Sequence, residues 1–447
     1  MRKLTFKGGI HPDDSKSATN RVPIKTVIPP ELMYYPVQQH IGAPLNILVS
    51  VGDTVKMGQK IADSDAYMCA PLHSSVSGTV KKIEPCLTPS GIKAMTIVIE
   101  NDGLDTKEEP INTKPLSELS PEEIIKLVRE AGIVGMGGAG FPTHVKLSPP
   151  PEKKITHVIV NGAECEPYLT SDHRVMLENP EEVISGLLAI MKIFSLDKAY
   201  IGIEENKPDA IEMMKKHASG YEGIHVLTLK KKYPQGAEKQ LIYAVTGKEV
   251  PSGRLPMDVG CLVTNVDTVT EISRVVNSGI PLMSRVVTVS GGAVAQPANF
   301  RVRIGTPFRY VIEQAGGLIC EPKKIIMGGP MMGIAGVSLD VPVLKGTSGI
   351  LAFDEKQATV RNESNCLRCG KCVSVCPMNL IPSQLGIYAN KKDIEKCEEY
   401  NLMDCIECGS CSYTCPAQRH LVQAIRWGKT QILAKRAKEK AKKEANK

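Results

Sequence analysis

The sequence predicts a multidomain chain of mixed α/β and β construction that closes with a small α-helical iron–sulfur unit. Three observations carry this expectation. Two cysteine arrays of identical spacing follow one another between residues 366 and 416. Residues 155 to 277 alternate strand and helix patterns, as a parallel-sheet domain does. Residues 46 to 100 break into short β segments separated by turn residues. With 447 residues the chain exceeds what one core organises, so division into several domains is expected.

A hydrophobic fraction of 42% and a charged fraction of 23% are those of a globular protein. Aromatic residues are scarce and Trp427 is the single tryptophan, which argues against a base-stacking nucleic-acid surface. Met1-Arg-Lys leads into no apolar signal region, and the most apolar stretch, Val183 to Ile203, is cut by Lys192, Asp197 and Lys198. Any membrane association is therefore expected to be peripheral. Six of the 14 cysteines (Cys69, Cys86, Cys165, Cys261, Cys320 and Cys397) are scattered singly, a pattern suited to a reducing cytoplasm. Much of the net charge of +7 sits after residue 425, in a tail that reads as a solvated helix or as a basic strip for an acidic partner or anionic membrane surface.

In chain order, residues 1–40 form a proline-rich extended lead beginning Gly8-Gly9-Ile10-His11-Pro12. Residues 41–103 follow, with a doublet of turns at residues 51–59 and 70–80 that resembles the two halves of a biotinyl/lipoyl-type barrel. Carriers of that type need a lysine at the hairpin tip, and none lies between Ile61 and Ala70, so the domain is expected to be structural or docking. His11, His40 and His73 read as hydrogen-bonded loop residues.

Ser120-Pro121-Glu122-Glu123 begins a helix, with serine as N-cap, proline in the first turn and glutamate at the third position. It ends at Gly132, ahead of Gly135-Met136-Gly137-Gly138-Ala139-Gly140-Phe141-Pro142 and Lys146. This loop contains G-x-G-x-x-G, but a helix precedes it and Phe-Pro follows, so the strand–loop–helix dinucleotide fingerprint is rejected. What the glycines permit is a backbone close enough for its N–H groups to touch a flat or anionic ligand.

A strand from Ile155 runs into Asn161-Gly162-Ala163-Glu164-Cys165-Glu166, placing an amide and two carboxylates at its C-terminal end, where open α/β sheets bind ligands. Gly236 and Glu238 then open an amphipathic helix, and Asn265 and Thr268 follow another strand. From Arg285 to residue 345 the pattern changes to short strands, a helix near Pro307 to Ala315, and the turn-rich Gly328-Gly329-Pro330-Met331-Met332-Gly333, whose methionines read as packing residues.

The arrays at residues 364–425 are Cys366, Cys369, Cys372, Cys376 with Pro377, and Cys405, Cys408, Cys411, Cys415 with Pro416. Each is C-x2-C-x2-C-x3-C-P, the run in which three thiolates grip one cubane cluster and the fourth reaches the other. Cys366, Cys369, Cys372 and Cys415 are therefore assigned to one 4Fe-4S cluster, and Cys405, Cys408, Cys411 and Cys376 to the second. A zinc site has no use for a third cysteine at this spacing or for the proline, and disulfides need an oxidising compartment.

Taken together, the glycine loop, the Asn-Gly-Ala-Glu-Cys-Glu-Pro loop, the Gly-Ala-Glu helix start and the Val-Thr-Asn-Val-Asp-Thr strand end resemble the flavin- and NADH-binding subunit of respiratory complex I. With the Gly-Gly-Ile-His-Pro opening and the paired arrays, residues 8 to 425 resemble the C subunits of Rnf-type membrane-bound ferredoxin:NAD oxidoreductases. The resemblance implies an N-terminal barrel-sandwich domain, an FMN/NAD-binding α/β domain at 117–282, a soluble-ligand-binding β-grasp domain at 285–345 and an α-helical double-cluster ferredoxin domain. It implies that Gly135, Gly137, Gly138, Gly140 and Lys146 cradle noncovalent FMN. Asn161 and Glu164 are then expected on ring or ribityl atoms, and Gly236, Asn265 and Thr268 at the phosphate end. Phe141, Glu166 and Glu238 are expected to line the NAD(H) site. Met136, Ala163 and Ala237 depart from the complex I pattern, where an arginine, an aspartate and a glutamate stand.

The function so implied is that of a peripheral subunit on the cytoplasmic side of the cell membrane. Its partners would be the other subunits of the complex, with ferredoxin reached through one of them. No nucleophile or general acid constellation is visible, so the chemistry is assigned to cofactors. Alternatives are a soluble flavin and iron–sulfur reductase of the cobalamin-reductase kind, which lacks the N-terminal lead and barrel, and a non-enzymatic electron wire whose glycine loop holds no flavin.

Overall fold

Apolar residues alternate along Leu32–Pro36 and Lys93–Asn101, and the two strands pair antiparallel so that Met33 faces Ile99 and Tyr35 faces Ile97. Val80 of Gly78–Leu87 extends the row across Ile99, and all five side chains are buried. Thr54–Val55 completes this sheet, and Asn46–Ile47, Lys60–Asp63 and Leu72–His73 form the second layer of the barrel. The end of the lead is thus a barrel strand, because the alternation at Met33 and Tyr35 supplies core. The computed structural model describes residues 4–138 and 140–445. Met1, Arg2 and Lys3 of the lead, Ala139 of the glycine loop, and Asn446 and Lys447 of the tail lie outside the described residues.

The barrel packs against the α/β domain. Arg129 donates to both oxygens of Asp63 at 3.0 and 2.9 Å, and the Tyr67 ring stands edge-on to His144 with centroids 5.9 Å apart. Ile41 N–H donates to the Gly140 carbonyl at 3.2 Å, so the barrel entry supports the glycine loop from behind. His73 is a buried strand residue, not a loop residue, and burial holds its pKa down at about 3. Among the described residues its Nδ1 has no partner.

The α/β domain carries a four-stranded parallel sheet in the order Ile224–Leu229, Ala199–Glu204, His157–Gly162, Cys261–Asn265. Val158 and Val160 face one core with Pro121–Glu130, Pro180–Phe194 and Val266–Ser278, while Ile159 faces the other with Leu241 and Ile242 of Glu238–Thr246. After His157–Gly162 the chain moves outward on one side and returns on the other as Cys261–Asn265, so the crevice at the strand ends is a topological switch point. The expected cap is present: Glu123 N–H donates to Ser120 Oγ and Ser120 N–H to the Glu123 carboxylate.

The next sheet has six strands in the order Lys25–Thr26, Ala298–Arg303, Ser284–Ser290, Gly349–Phe353, Lys324–Met327, Ile334–Gly336, with helix Phe308–Gln314 packed on it. Lys25–Thr26 comes from the lead and Gly349–Phe353 from beyond residue 345, so the sheet draws in more chain than the sequence pattern suggested. The apolar Ile350-Leu351-Ala352-Phe353 run is fully buried, which is why it takes an interior position.

The two cysteine arrays share one backbone design. Arg368, Gly370 and Asn379 have positive φ, and so do Glu407, Gly409 and Gln418 at equivalent places. Helices Pro382–Asn390 and Ile394–Glu399 lie between them. Leu421–Ala445 is one continuous helix whose Ile425 and Ile432 are buried, so the tail begins as packed structure. The lead crosses every part of this arrangement. Gly9 N–H donates to the Val375 carbonyl, Ile10 and Tyr233 exchange backbone hydrogen bonds, and the Asn299 side chain donates to the Thr19 carbonyl.

Candidate functional site

A ring of residues surrounds the C-terminal ends of the two central strands. Asn161 and Asn265 are register partners on neighbouring parallel strands. Asn265 Oδ1 caps helix Val266–Ser278 by accepting from Asp267 and Thr268 N–H groups. Gly137 packs on that side chain so tightly that a Cβ there would lie 2.8 Å from Asn265 Nδ2. Met136 N–H donates to Thr268 Oγ1, and Gly135 N–H to the Phe141 carbonyl, which folds the loop back on itself. On the other flank Asn161 Nδ2 donates to the Gly236 carbonyl at 2.8 Å. Lys146 closes the ring through an ion pair with Glu238 at 2.7 Å.

This ring fits a flavin mononucleotide. Among the described residues, none outside its chain neighbours comes within 4 Å of where a Gly138 Cβ would stand, so the loop leaves room for a ligand against its backbone. Helix Glu238–Thr246 has no side-chain cap on its N-terminal N–H groups, and Lys146 stands beside it. Free backbone donors suit a phosphate, and Lys146 would join them by exchanging Glu238 for it. Phe141, at the mouth of the loop, is half-buried.

The two acidic residues of the strand-end loop are committed to protein groups. Glu164 accepts from the Asp172 and His173 N–H groups at the start of helix Ser171–Glu178, with Lys16 3.9 Å away. Glu166 accepts from Met331 and Met332 N–H groups at 3.0 and 2.9 Å, and burial pushes its carboxyl up. In this conformation one caps a helix and the other clamps a loop, so neither presents a free carboxylate for the ribityl and nucleotide contacts that the resemblance implies. Buried lysines shape the same loop: Lys207 Nζ donates to the Ala163 carbonyl and Lys16 Nζ to the Glu166 carbonyl. Asp172, which accepts from Asn265 Nδ2 at 2.7 Å, is raised to about 8 by burial and then by Glu164 and Asp267. No sequence pattern marks Lys16, Lys207 or Asp172, because a buried charge is legible only from its neighbours.

Cys376 of the first array joins Cys405, Cys408 and Cys411 of the second around one partly open pocket that is also lined by apolar residues such as Ile406, Val422 and Ile425. Burial, with the neighbouring cysteines adding to it, pushes the Cys405 thiol up to about 11 and the Cys411 thiol up to about 12. Four thiolates gathered there need a cationic body among them, and an iron–sulfur cube supplies it. The equivalent set, Cys366, Cys369, Cys372 and Cys415, is more open. Cys366 and Cys369 are exposed, and Cys372 packs against Cys411, Leu421 and Val422.

Comparison with known proteins agrees with this layout. The family models for the RnfC barrel sandwich hybrid domain, the Nuo51 FMN-binding domain, the SLBB domain and the 4Fe-4S dicluster domain match residues 4–104, 128–274, 286–335 and 365–419. The C subunit of the proton-translocating ferredoxin:NAD+ oxidoreductase complex of Clostridium ljungdahlii is 53% identical over 98% of this chain and 96% of its own. The C subunit of the Na+-translocating complex of Acetobacterium woodii is 49% identical over 97% of this chain and 98% of its own. The chain belongs to the C subunits of the ion-translocating ferredoxin:NAD+ oxidoreductases.

This C subunit combines an FMN-binding domain with a two-cluster ferredoxin domain and is an electron-transfer subunit with other subunits as partners. A crystal structure of an NAD+-reducing [NiFe]-hydrogenase shares its fold with a TM-score of 0.51 at 19% identity. That match covers 70% of this C subunit and 63% of the hydrogenase chain. Among its described residues, no helix is long and apolar enough to cross a membrane.

Proposed function

We propose that the chain is the NAD(H)-end subunit of its complex, held peripherally on the cytoplasmic side of the cell membrane by partner subunits that carry the ion. Electrons originating in reduced ferredoxin reach it through those partners, and two of them with NAD+ and one proton give NADH. The observation that carries this reading is the thiol-lined cavity of Cys376, Cys405, Cys408 and Cys411 beside the ring at the strand ends of the α/β domain.

In this reading Gly135, Gly137, Gly138 and Gly140 bring backbone N–H groups to the ligand, while Asn161, Asn265 and Thr268 fix the loops that surround it. Lys146 and the open start of helix Glu238–Thr246 hold the phosphate. Phe141 and Glu238, on the rim, are the groups nearest an incoming nicotinamide nucleotide. Bound FMN supplies the exchange between two-electron hydride chemistry and single-electron transfer. The protein's own work is binding, orientation and exclusion of water around the route.

Anaerobic purification with reconstituted clusters tests the reading. Stoichiometric flavin, a full iron complement, flavin bleaching by NADH and a subsequent reduced-cluster EPR signal are expected. Full iron with no bound flavin and no response to NADH leaves an electron wire and overturns it.

A further inference from the structure

Eight residues, 233 to 240, touch the flavin ring of residues and both cysteine loops of the buried cluster site. Gly236 and Glu238 belong to the ring through Asn161 and Lys146. At one end of the segment Tyr233, 1% exposed, donates its hydroxyl to the Cys408 carbonyl at 2.7 Å. At the other end Gln240 Nε2 donates to the Pro377 carbonyl at 3.2 Å, next to Cys376. The segment therefore holds one loop from each array, and both loops supply thiols to the same cavity.

The lead fastens the segment from outside. Ile10 exchanges two backbone hydrogen bonds with Tyr233, and Gly9 N–H reaches the Val375 carbonyl at 2.8 Å. Gly8 approaches the first array so closely that a Cβ there would lie 2.9 Å from the Cys376 carbonyl oxygen. Ile10, Tyr233 and Cys408 share a small apolar core with Cys165, Met331, Val375 and Ile406. The more open set is held from one side: residues 361 to 371, which include Cys366 and Cys369, are all exposed, and Glu363 and Ser364 tie that stretch to residues 417–420 beyond the second array.

We propose that segment 233–240 is the electron bridge of this chain. Tyr233 and Gln240 are positioning residues that hold the buried cluster against the flavin site, so electrons pass between flavin and the buried cluster first and reach the open cluster only through it. This rests on the flavin-binding reading above. From the NADH side the balance is NADH plus two oxidised clusters giving NAD+, one proton and two reduced clusters, each cluster taking one electron. The open cluster, with exposed ligands, is then the one that meets the partner subunit.

The test uses the full chain with reconstituted clusters and FMN, as Tyr233→Phe and Gln240→Met, with Tyr243→Phe as the control for loss of a hydroxyl. NADH is mixed in, flavin bleaching is followed by absorbance, and cluster reduction by freeze-quench EPR, after iron and flavin have been counted. Both bridge variants are expected to bleach flavin at the wild-type rate, to reduce the clusters severalfold more slowly, and to alter the EPR line shape of one cluster only. Cluster reduction keeping pace with flavin in both variants overturns the proposal. If a variant loses the buried cluster, the remaining one decides. Its failure to be reduced by NADH supports the order, and its reduction at the wild-type rate overturns it. A wild-type chain whose flavin NADH does not bleach fails the functional reading instead, a separate outcome.

Discussion

Asn161 and Asn265 face each other in register at the ends of two parallel strands, yet their side chains hold different things. Asn265 caps helix Val266–Ser278 and donates to Asp172, whereas Asn161 caps no helix and holds Gly236. Asn265→Ala is therefore expected to cost the apo chain about 1 kcal/mol through the lost cap. Asn161→Ala loses its contacts to Gly236 and the Ala163 N–H and is expected to cost less than the loss of the cap together with the Asp172 contact. Both should weaken FMN retention. Thermal melts of apo protein and FMN titration by fluorescence separate the two effects, and equal melts for the two variants would contradict the capping role.

Asp172, which accepts from Asn265, is a half-buried acid whose pKa desolvation raises from 3.8 to about 8. A folded-state value above the unfolded one means that the folded chain binds the extra proton between those limits. Its stability contribution is full below about pH 4 and is lost as pH rises through about 8. Asp172→Asn keeps the shape without the titration. The variant should gain on wild type steadily across that window and run parallel to it above. A constant difference in melting temperature over the whole range would show that Asp172 is ionised in the folded chain.

The parts legible in the sequence are those whose physics is local. Cys366 to Pro377 and Cys405 to Pro416 must grip a cube within a few residues, so spacing alone exposes them. The Ser120–Glu123 capping box and the strand–helix alternation are visible for the same reason. What stayed hidden depends on chain brought from far away. Lys25–Thr26 joins a sheet whose other strands begin at Ser284, and Gly349–Phe353 enters it from beyond the apparent boundary. Lys16 reads as a surface residue until Glu164 and the Leu169 carbonyl are found around it. Glu166 carries the right chemistry for a nucleotide contact, and only the fold shows Met331 and Met332 N–H groups occupying it. Tyr233 resembles any other aromatic residue before a proline until Cys408 is found against its hydroxyl.

Lys345 is buried where the barrel, the α/β domain and the six-stranded sheet meet, and its ammonium donates to the Pro71 and Gly132 carbonyls. Burial lowers its pKa from 10.5 to about 7. The unfolded chain binds the extra proton between these values, so wild-type stability should climb as pH rises from about 7 towards 10.5 and stay level on this account below 7. Lys345→Met removes that slope. Wild type should gain on the variant as pH rises from about 7 towards 10 and keep a constant difference from it below 7. A gap independent of pH, measured by denaturant melts across this range, would mean that Lys345 keeps an ordinary pKa.

The basic helix gives a narrower prediction than its composition suggests. Lys429 pairs with Glu407, and Lys435 and Arg436 pair with Glu398, so these charges are engaged within the chain. Removing residues 437–447 takes away Lys438, Lys440, Lys442, Lys443 and Lys447 while sparing the buried Ile425 and Ile432. If this stretch helps to hold the subunit at an anionic surface, the truncated chain should keep its melting temperature. It should also be recovered less well with membranes at low salt, with the difference fading as salt screens the charges. Equal recovery at low salt would remove the tail from the attachment.

If the arrays cross-ligate, paired cysteine substitutions give a different iron count from array-by-array ligation. Cys376 belongs to the cavity of Cys405, Cys408 and Cys411, although it lies beside Cys372 in sequence. Cys376→Ser should therefore lose the buried cluster and about half of the iron, and adding Cys405→Ser should remove nothing more. Combining Cys376→Ser with Cys366→Ser should strip both clusters, because those cysteines serve different cubes. Array-by-array ligation predicts the reverse: the Cys376 and Cys366 pair would cost one cluster, and the Cys376 and Cys405 pair both. Iron counts on the three single variants and two double variants, with EPR to show which signal survives, decide between the schemes without any assay of turnover.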